Sequence, residues 1–193
     1  MKVSNYLLDK IKNINHHNSD KKAFTKILSS KELLLDPVVF KFITNDFLIG
    51  IIENYLENTP QILHSNIWYS SNINEIENSS QNFHLDYEDR KQIKLFLFLN
   101  DITDANGPTI VLDKNYSNEI ILRNNYKLSY GKPKRLDDSK ININKSKSLI
   151  GKKGTLYLLD TSNLLHCGSR KGSGVRKVFM VQYVSQYYTT ENK

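Results

Sequence analysis

Cysteine is nearly absent: one residue, Cys167, in a chain of 193. That excludes an internal disulfide and makes the reducing cytoplasm the expected location. No apolar run reaches the roughly 20 residues that a membrane-spanning helix needs. The opening MKVSNYLLDK lacks the apolar stretch and small-residue cleavage site of a secretory leader, so none is expected. There is no internal repeat and no break in composition between domains, which predicts a single domain over 1–193. Tryptophan occurs once, as Trp68, and is assigned to the core. Histidine occurs five times, so a search for metal ligands is short.

What is present suits a globular protein. Hydrophobic residues make up 39% and aromatics 10%, enough for a substantial core at this length. The net charge is +7, with basic residues densest from Lys127 to Lys153, including Lys132, Lys134, Arg135, Lys140, Lys145, Lys147 and Lys152. A solvated loop surface accounts for most of such a stretch. The functional alternative is attraction for an anionic small molecule, phosphorylated, carboxylated or thioester-linked, or for nucleic acid. Nucleic acid is disfavoured, because aromatic residues do not interleave with the basic ones there.

The first sixty residues read as helical, over Asn5 to Ile14, Lys22 to Leu35 and Asn45 to Leu56. Asp36-Pro37 suits a helix start, with Asp36 as cap and Pro37 in the first turn. From Ile62 the period shortens. Strands are predicted over Ile62 to Tyr69, Asn82 to Tyr87, Gln92 to Leu99, Thr109 to Leu112, Thr155 to Asp160 and Val175 to Val184. Residues 70–80 read as a loop near the mouth of a site, and DITDANGP (101–108) as a turn with its tight point at Asn106-Gly107. Residues 113–150 are polar and lysine-rich. A connection that long is often functional, and short strands with a mobile lid are expected there. Helices followed by many short strands suggest an α+β domain: N-terminal buttressing helices (1–60) against a jelly-roll, the cupin-like double-stranded β-helix (61–188).

The chemistry centres on His84-Leu85-Asp86. Residues i and i+2 of an extended chain share a face, so His84 and Asp86 can reach one metal while Leu85 packs behind. His166 follows the apolar run 155–159 and offers a second imidazole. Cys167, next to it, should then point away, as a small buried residue. Two imidazoles and a carboxylate form the protein ligand set of a non-haem Fe(II) site with open coordination positions. Arg176, ten residues on, suits a hairpin returning to the same site, where its guanidinium could grip a carboxylate. His16 and His17 lie in a polar segment, and His64 has no acid two residues away. These three are read as non-ligands, His64 as a residue that could line the pocket.

Together with LHSNIWYS (63–70), QNFHLD (81–86), KLFLFLNDITDANGP (94–108) and GTLYLLDTSNLLHCGSRKGSGVR (154–176), these residues resemble the iron(II)/2-oxoglutarate dioxygenases, and among them the phytanoyl-CoA dioxygenase-like group. The resemblance spans about Asp36 to Tyr188 and implies the same jelly-roll fold. It implies Fe(II) held by His84, Asp86 and His166, with 2-oxoglutarate as co-substrate and its distal carboxylate on Arg176. It also implies hydroxylation of a small organic substrate with release of succinate and CO2. Related halogenases replace the acid with a small residue, whereas Asp86 is present here. In this frame Lys94, which begins a strand on the face of Phe96 and Phe98, either snorkels to a sheet edge or sits near the co-substrate. Gln81, Asn82 and Tyr69 are weaker candidates for hydrogen bonds to co-substrate or product, and Arg170 reads as a loop charge that could touch substrate. Many relatives carry Ser-His soon after the Gly-Pro turn, where this chain reads TIVLDKN (109–115), and the N-terminal region is shorter here. Both departures bear on the substrate. Two alternatives stay open: a nucleic-acid or protein oxygenase of the same superfamily, and a jelly-roll ligand binder without turnover.

Overall fold

A computed structural model describes residues 2–14, 25–70, 80–127, 135–168, 170 and 172–185. Helices α1 (Val3–Ile11), α2 (Ser30–Leu34), α3 (Pro37–Ile43) and α4 (Asp46–Leu56) cover one face of a five-stranded antiparallel sheet. That sheet contains β1 (Thr25–Leu28), β2 (Pro60–Ser70), β3 (Gln92–Phe98), β6 (Leu156–Leu159) and β8 (Arg176–Ser185), in the order β1-β2-β8-β3-β6. A three-stranded sheet of β4 (Thr109–Leu112), β5 (Ser146–Leu149) and β7 (His166–Cys167) packs on its other face, in the order β5-β4-β7. Helix α5 (Lys114–Arg123) backs the smaller sheet. No helix among the described residues is long and apolar enough to cross a membrane.

Alternation along the strands separates two interiors. Ile93, Leu95, Leu97, Phe179, Val181 and Tyr183 face the helices and join Leu33, Ile43 and Ile52 in the largest apolar cluster. Phe96, Phe98, Val178 and Met180 face the smaller sheet and meet Val111 and Leu149. Each such side chain, fully buried, contributes roughly 1.5–3 kcal/mol of transfer free energy. Asp36 caps α3 as expected: its Oδ1 accepts from the Val38 and Val39 amides at 3.0 and 3.1 Å, and Oδ2 accepts from Tyr6 Oη and Lys10 Nζ. Burial opposes its charge, but these donors hold the carboxyl down at about 2.

Three sequence expectations change. Within Lys22 to Leu35, Thr25–Leu28 is an edge strand on β2, with Thr25 opposite Tyr69, and the helix begins only at Ser30 behind a Ser29–Glu32 capping box. Pairing with an existing sheet edge outweighs weak helical propensity in so short a segment. The ligand segment Asn82 to Tyr87 forms only single bridges, Phe83 to Leu136 and His84 to His166. Its next amides leave the ladder: Leu85 donates to Tyr126 Oη (3.1 Å) and Asp86 to the Thr161 carbonyl (2.9 Å). Finally, the described part of 113–150 holds helix α5 ahead of the expected short strand, β5. Asp113 caps α5, accepting from the Tyr116 amide at 2.8 Å, and Tyr116 and Ile120 lie buried beside Phe83 and Leu165. Within 135–145, 3₁₀ turns at Asp138–Lys140 and Ile143–Lys145 lead into β5. Tyr130 to Pro133 and most of the 70–80 loop lie outside the described residues, as do His16 and His17.

Candidate metal centre

The structure brings His84, Asp86 and His166 together. One ligand atom from each lies within 4.8 Å of the others, and all three residues are buried. His84 and His166 exchange both backbone hydrogen bonds, at 2.9 and 3.1 Å, so their side chains leave the sheet on the same side with ring centroids 4.4 Å apart. Asp86 reaches in from the extended segment beyond His84. Its Oδ1 lies 3.7 Å from His84 Nε2 and its Oδ2 3.5 Å from His166 Nε2. Phe83, Leu85 and Cys167 point the other way, into the cluster behind the smaller sheet. There burial pushes the Cys167 thiol up to about 12, which keeps it protonated and inert.

Both imidazoles have Nδ1 tied to the backbone. His84 Nδ1 lies 2.8 Å from the Asn82 carbonyl and His166 Nδ1 2.9 Å from the Leu164 carbonyl. A carbonyl only accepts, so each Nδ1 carries the proton and each Nε2 presents its lone pair towards Asp86. Burial, reinforced by the neighbouring imidazole, lowers His84 to about 2, and burial lowers His166 as well. Both are therefore neutral at physiological pH. Asp86 behaves in the opposite sense. Burial alone would raise its pKa, but the Lys94 ammonium and the two imidazole sites hold it well below the ordinary carboxylate range. Lys94 Nζ donates to Asp86 Oδ2 at 2.6 Å, so Lys94 turns inward to the metal-site acid instead of snorkelling to an edge. Next to it, Gln182 donates to Gln92 and Gln92 to Thr161, both at 2.9 Å, and the Thr161 carbonyl in turn accepts from the Asp86 amide.

Arg176 opens β8 on the same sheet face as Lys94. It is 4% exposed, and Nη2 donates to Thr109 Oγ1 at 2.7 Å. Its Nε is buried without a partner, and among the described residues it makes no ion pair. Burial alone lowers the guanidinium to about 10, which leaves it charged. Opposite it on β2, Ser70 also carries a buried, unpartnered Oγ. Two glycines fix this corner: a Cβ on Gly172 would meet the Ala105 carbonyl at 2.7 Å, and the Ser173 and Gly174 amides both donate to that carbonyl. The loop before Arg176 is thus locked onto the turn before Thr109. Val111 stands opposite His166, and Thr109 lies two residues away on the same face. Thr109 and Val111 are thus about 7 Å apart along the strand.

Other candidates fall elsewhere. Tyr69 pairs with Lys177 on the opposite face of the sheet from Arg176, and the Lys177 ammonium lies over its ring, so it is not brought to this group. Gln81 is fully buried, and its carbonyl accepts from Arg170 Nε at 2.6 Å. Arg170 also reaches Asp138 at 2.5 Å and stacks over Phe83, tying loops together behind the centre. His64 is exposed on the Lys94 face of the sheet, opposite Gln182, which in turn stands opposite Lys94. Trp68 packs against the apolar residues between the sheets. Sequence reading missed Thr109 and Ser70. Ser70 could have been found by carrying the alternation of β2 one step past Tyr69.

No protein-family model matches the chain, and no curated protein does. Solved structures do match. HygX from Streptomyces hygroscopicus, with nickel and 2-oxoglutarate bound, aligns over 95% of this chain and 78% of its own at 13% identity and a TM-score of 0.63. EctD from S. alaskensis, with 2-oxoglutarate and 5-hydroxyectoine, aligns over 96% of this chain and 68% of its own at 15% identity and a TM-score of 0.61. The non-heme monooxygenase ThoJ aligns over 94% and 66% at 13% identity and a TM-score of 0.59. At such identities the shared feature is the fold, a double-stranded β-helix of the cupin type, as the sequence predicts.

Proposed function

We propose that this protein is an Fe(II)- and 2-oxoglutarate-dependent oxygenase that hydroxylates a small organic molecule. The observation that carries the reading is the preset centre. Two neutral imidazoles, with Nδ1 protons tied to carbonyls, converge with an ionised Asp86, and the sheet face that carries Lys94 also carries a buried guanidinium with no acid partner among the described residues. A buried, unpaired cation is costly unless an anion completes it. A dicarboxylate with one end near the imidazoles and the other on Arg176 supplies that anion. HygX and EctD, similar in fold, have been seen with 2-oxoglutarate bound, which supports the same co-substrate here. The motifs quoted from the sequence favour the phytanoyl-CoA dioxygenase-like branch.

The residues divide the work. His84, Asp86 and His166 would hold the ferrous ion, which when bound supplies dioxygen activation coupled to decarboxylation of the 2-oxo acid. Lys94 holds Asp86 Oδ2 and fixes the carboxylate plane. Arg176, Thr109 and Ser70 grip the distal carboxylate. Phe98, Val178 and Met180 wall the space between the sheets and keep water from it. Succinate release from 2-oxoglutarate, with added Fe(II) under air, tests the reading. Turnover abolished by Asp86→Ala is expected. Undiminished turnover in that variant would overturn it.

A further inference from the structure

Most of the basic stretch from 127 to 153 is surface: Lys127, Lys140, Lys145, Lys147 and Lys152 are exposed. Arg135 is different. It is half-buried, and its Nη1 is shut off from solvent without a hydrogen-bond partner. Among the described residues no acid lies within ion-pair distance of it. Its backbone shows where the side chain is directed. The Leu136 amide donates to the Phe83 carbonyl at 2.9 Å, the two residues form an antiparallel bridge, and both side chains lie in the cluster behind the smaller sheet. One residue earlier, Arg135 faces the opposite way, the way His84 faces. Electrostatics agree: the Arg135 charge opposes protonation of both His84 and His166, and Asp86 acts on Arg135 in return. The His84 segment therefore has β7 and β4, with Thr109 and Arg176, on one side and Arg135 on the other. The proposed co-substrate occupies the first side.

We propose that Arg135 is the anion subsite for the primary substrate, taking a carboxylate or phosphate oxyanion of a small molecule and holding it across the metal centre from 2-oxoglutarate. The inference rests on the function proposed above and narrows its substrate class to small oxyanions. Glu88 stands nearby with its own buried, unpartnered Oε2 and acts on Arg135 without reaching it. A simple structural pairing of these two residues is therefore the competing outcome.

The test uses the full chain loaded with redox-inert Zn(II) and saturating 2-oxoglutarate, so that binding is read without turnover. Acetate, methyl phosphate and neutral acetamide are titrated by calorimetry into the wild type and into Arg135→Gln, Arg135→Lys and Arg176→Gln. One of the two anions should bind better than acetamide, and which one does separates a carboxylate from a phosphate substrate. Arg135→Gln should weaken that anion about tenfold or more, Arg135→Lys less, both leaving 2-oxoglutarate within about twofold. Arg176→Gln should show the reverse. Anion binding unchanged in Arg135→Gln, or no anion preferred over acetamide, overturns the proposal. So does a tenfold loss of 2-oxoglutarate in Arg135→Gln, which would place Arg135 in the co-substrate site. So does equal, non-additive destabilisation by Arg135→Gln and Glu88→Gln with no effect on anions. If 2-oxoglutarate fails to bind the wild type, the functional reading fails instead, and the same titration on the metal-free chain still decides for or against Arg135.

Discussion

On one side of the five-stranded sheet, Ile93, Leu95, Phe179 and Val181 meet helices, and Tyr183 Oη donates to the Ile43 carbonyl at 2.8 Å. On the other side the same strands present Lys94, Asn66, Ser70, Arg176 and Gln182, and Asn66 Oδ1, Ser70 Oγ and Arg176 Nε are buried without partners. Among the described residues the helix side has one comparable orphan, Ser65 Oγ. Buried polar groups are normally satisfied, so a concentration of unsatisfied ones on one face marks where a ligand is expected. The helix face contributes stability, whereas the other face forgoes some of it to stay receptive.

That contrast can be broken in several ways. The largest effect should come from the helix face. Leu95→Ala empties a fully buried position and should cost about 2–5 kcal/mol in urea unfolding, with the zinc affinity of the folded protein unchanged. A change in affinity would mean the two faces are coupled. On the site face, Arg176→Met should leave the ligand-free protein as stable or up to about 4 kcal/mol more stable, while abolishing stabilisation by 2-oxoglutarate in a thermal melt. A destabilised ligand-free Arg176→Met would show that the guanidinium already has its partner.

Acid should act chiefly through the site. The folded pKa values of His84 and His166 lie below the unfolded value, so the unfolded chain binds protons first as pH falls. Their contribution is intact above about pH 6.5 and declines below it, by up to about 1.4 kcal/mol per pH unit for each imidazole. Asp86, also lowered, adds its loss only at more acid pH. Denaturant unfolding of the metal-free protein at pH 7 and pH 5 should show the decline, and His84→Gln should make it shallower. The smallest effect belongs to the α3 cap: Asp36→Ala should cost about 1–2 kcal/mol and leave metal binding untouched.

Much of the site was legible because its spacing is local. H-x-D sharing a face, Cys167 opposed to His166, and Asp36 as a helix cap all follow from period and capping chemistry. The misreadings have physical causes. In LHSNIWYS both faces of β2 look half-apolar, and only its register against β8 puts Ser70, not Tyr69, beside Arg176. Strand β1 exists because β2 offers an edge, which no window of its own sequence reveals. Helix α5 did leave a signal, Asp113 three residues before Tyr116 and seven before Ile120, obscured by the surrounding lysines and asparagines. Arg135 was one cation among many, and only its bridge-bound neighbour Leu136 shows that it turns inward.

The central claim is that His84, Asp86 and His166 hold a ferrous ion within reach of a 2-oxo acid whose far end lies on Arg176. Anaerobic addition of Fe(II) and 2-oxoglutarate reads this directly, through the visible charge-transfer absorption that a chelated 2-oxo acid gives on ferrous iron. The account predicts the band in the wild type, its loss in Asp86→Ala, and a requirement for far more 2-oxoglutarate in Arg176→Gln. A wild type without the band, or an Asp86→Ala variant that keeps it at full strength, would contradict the account.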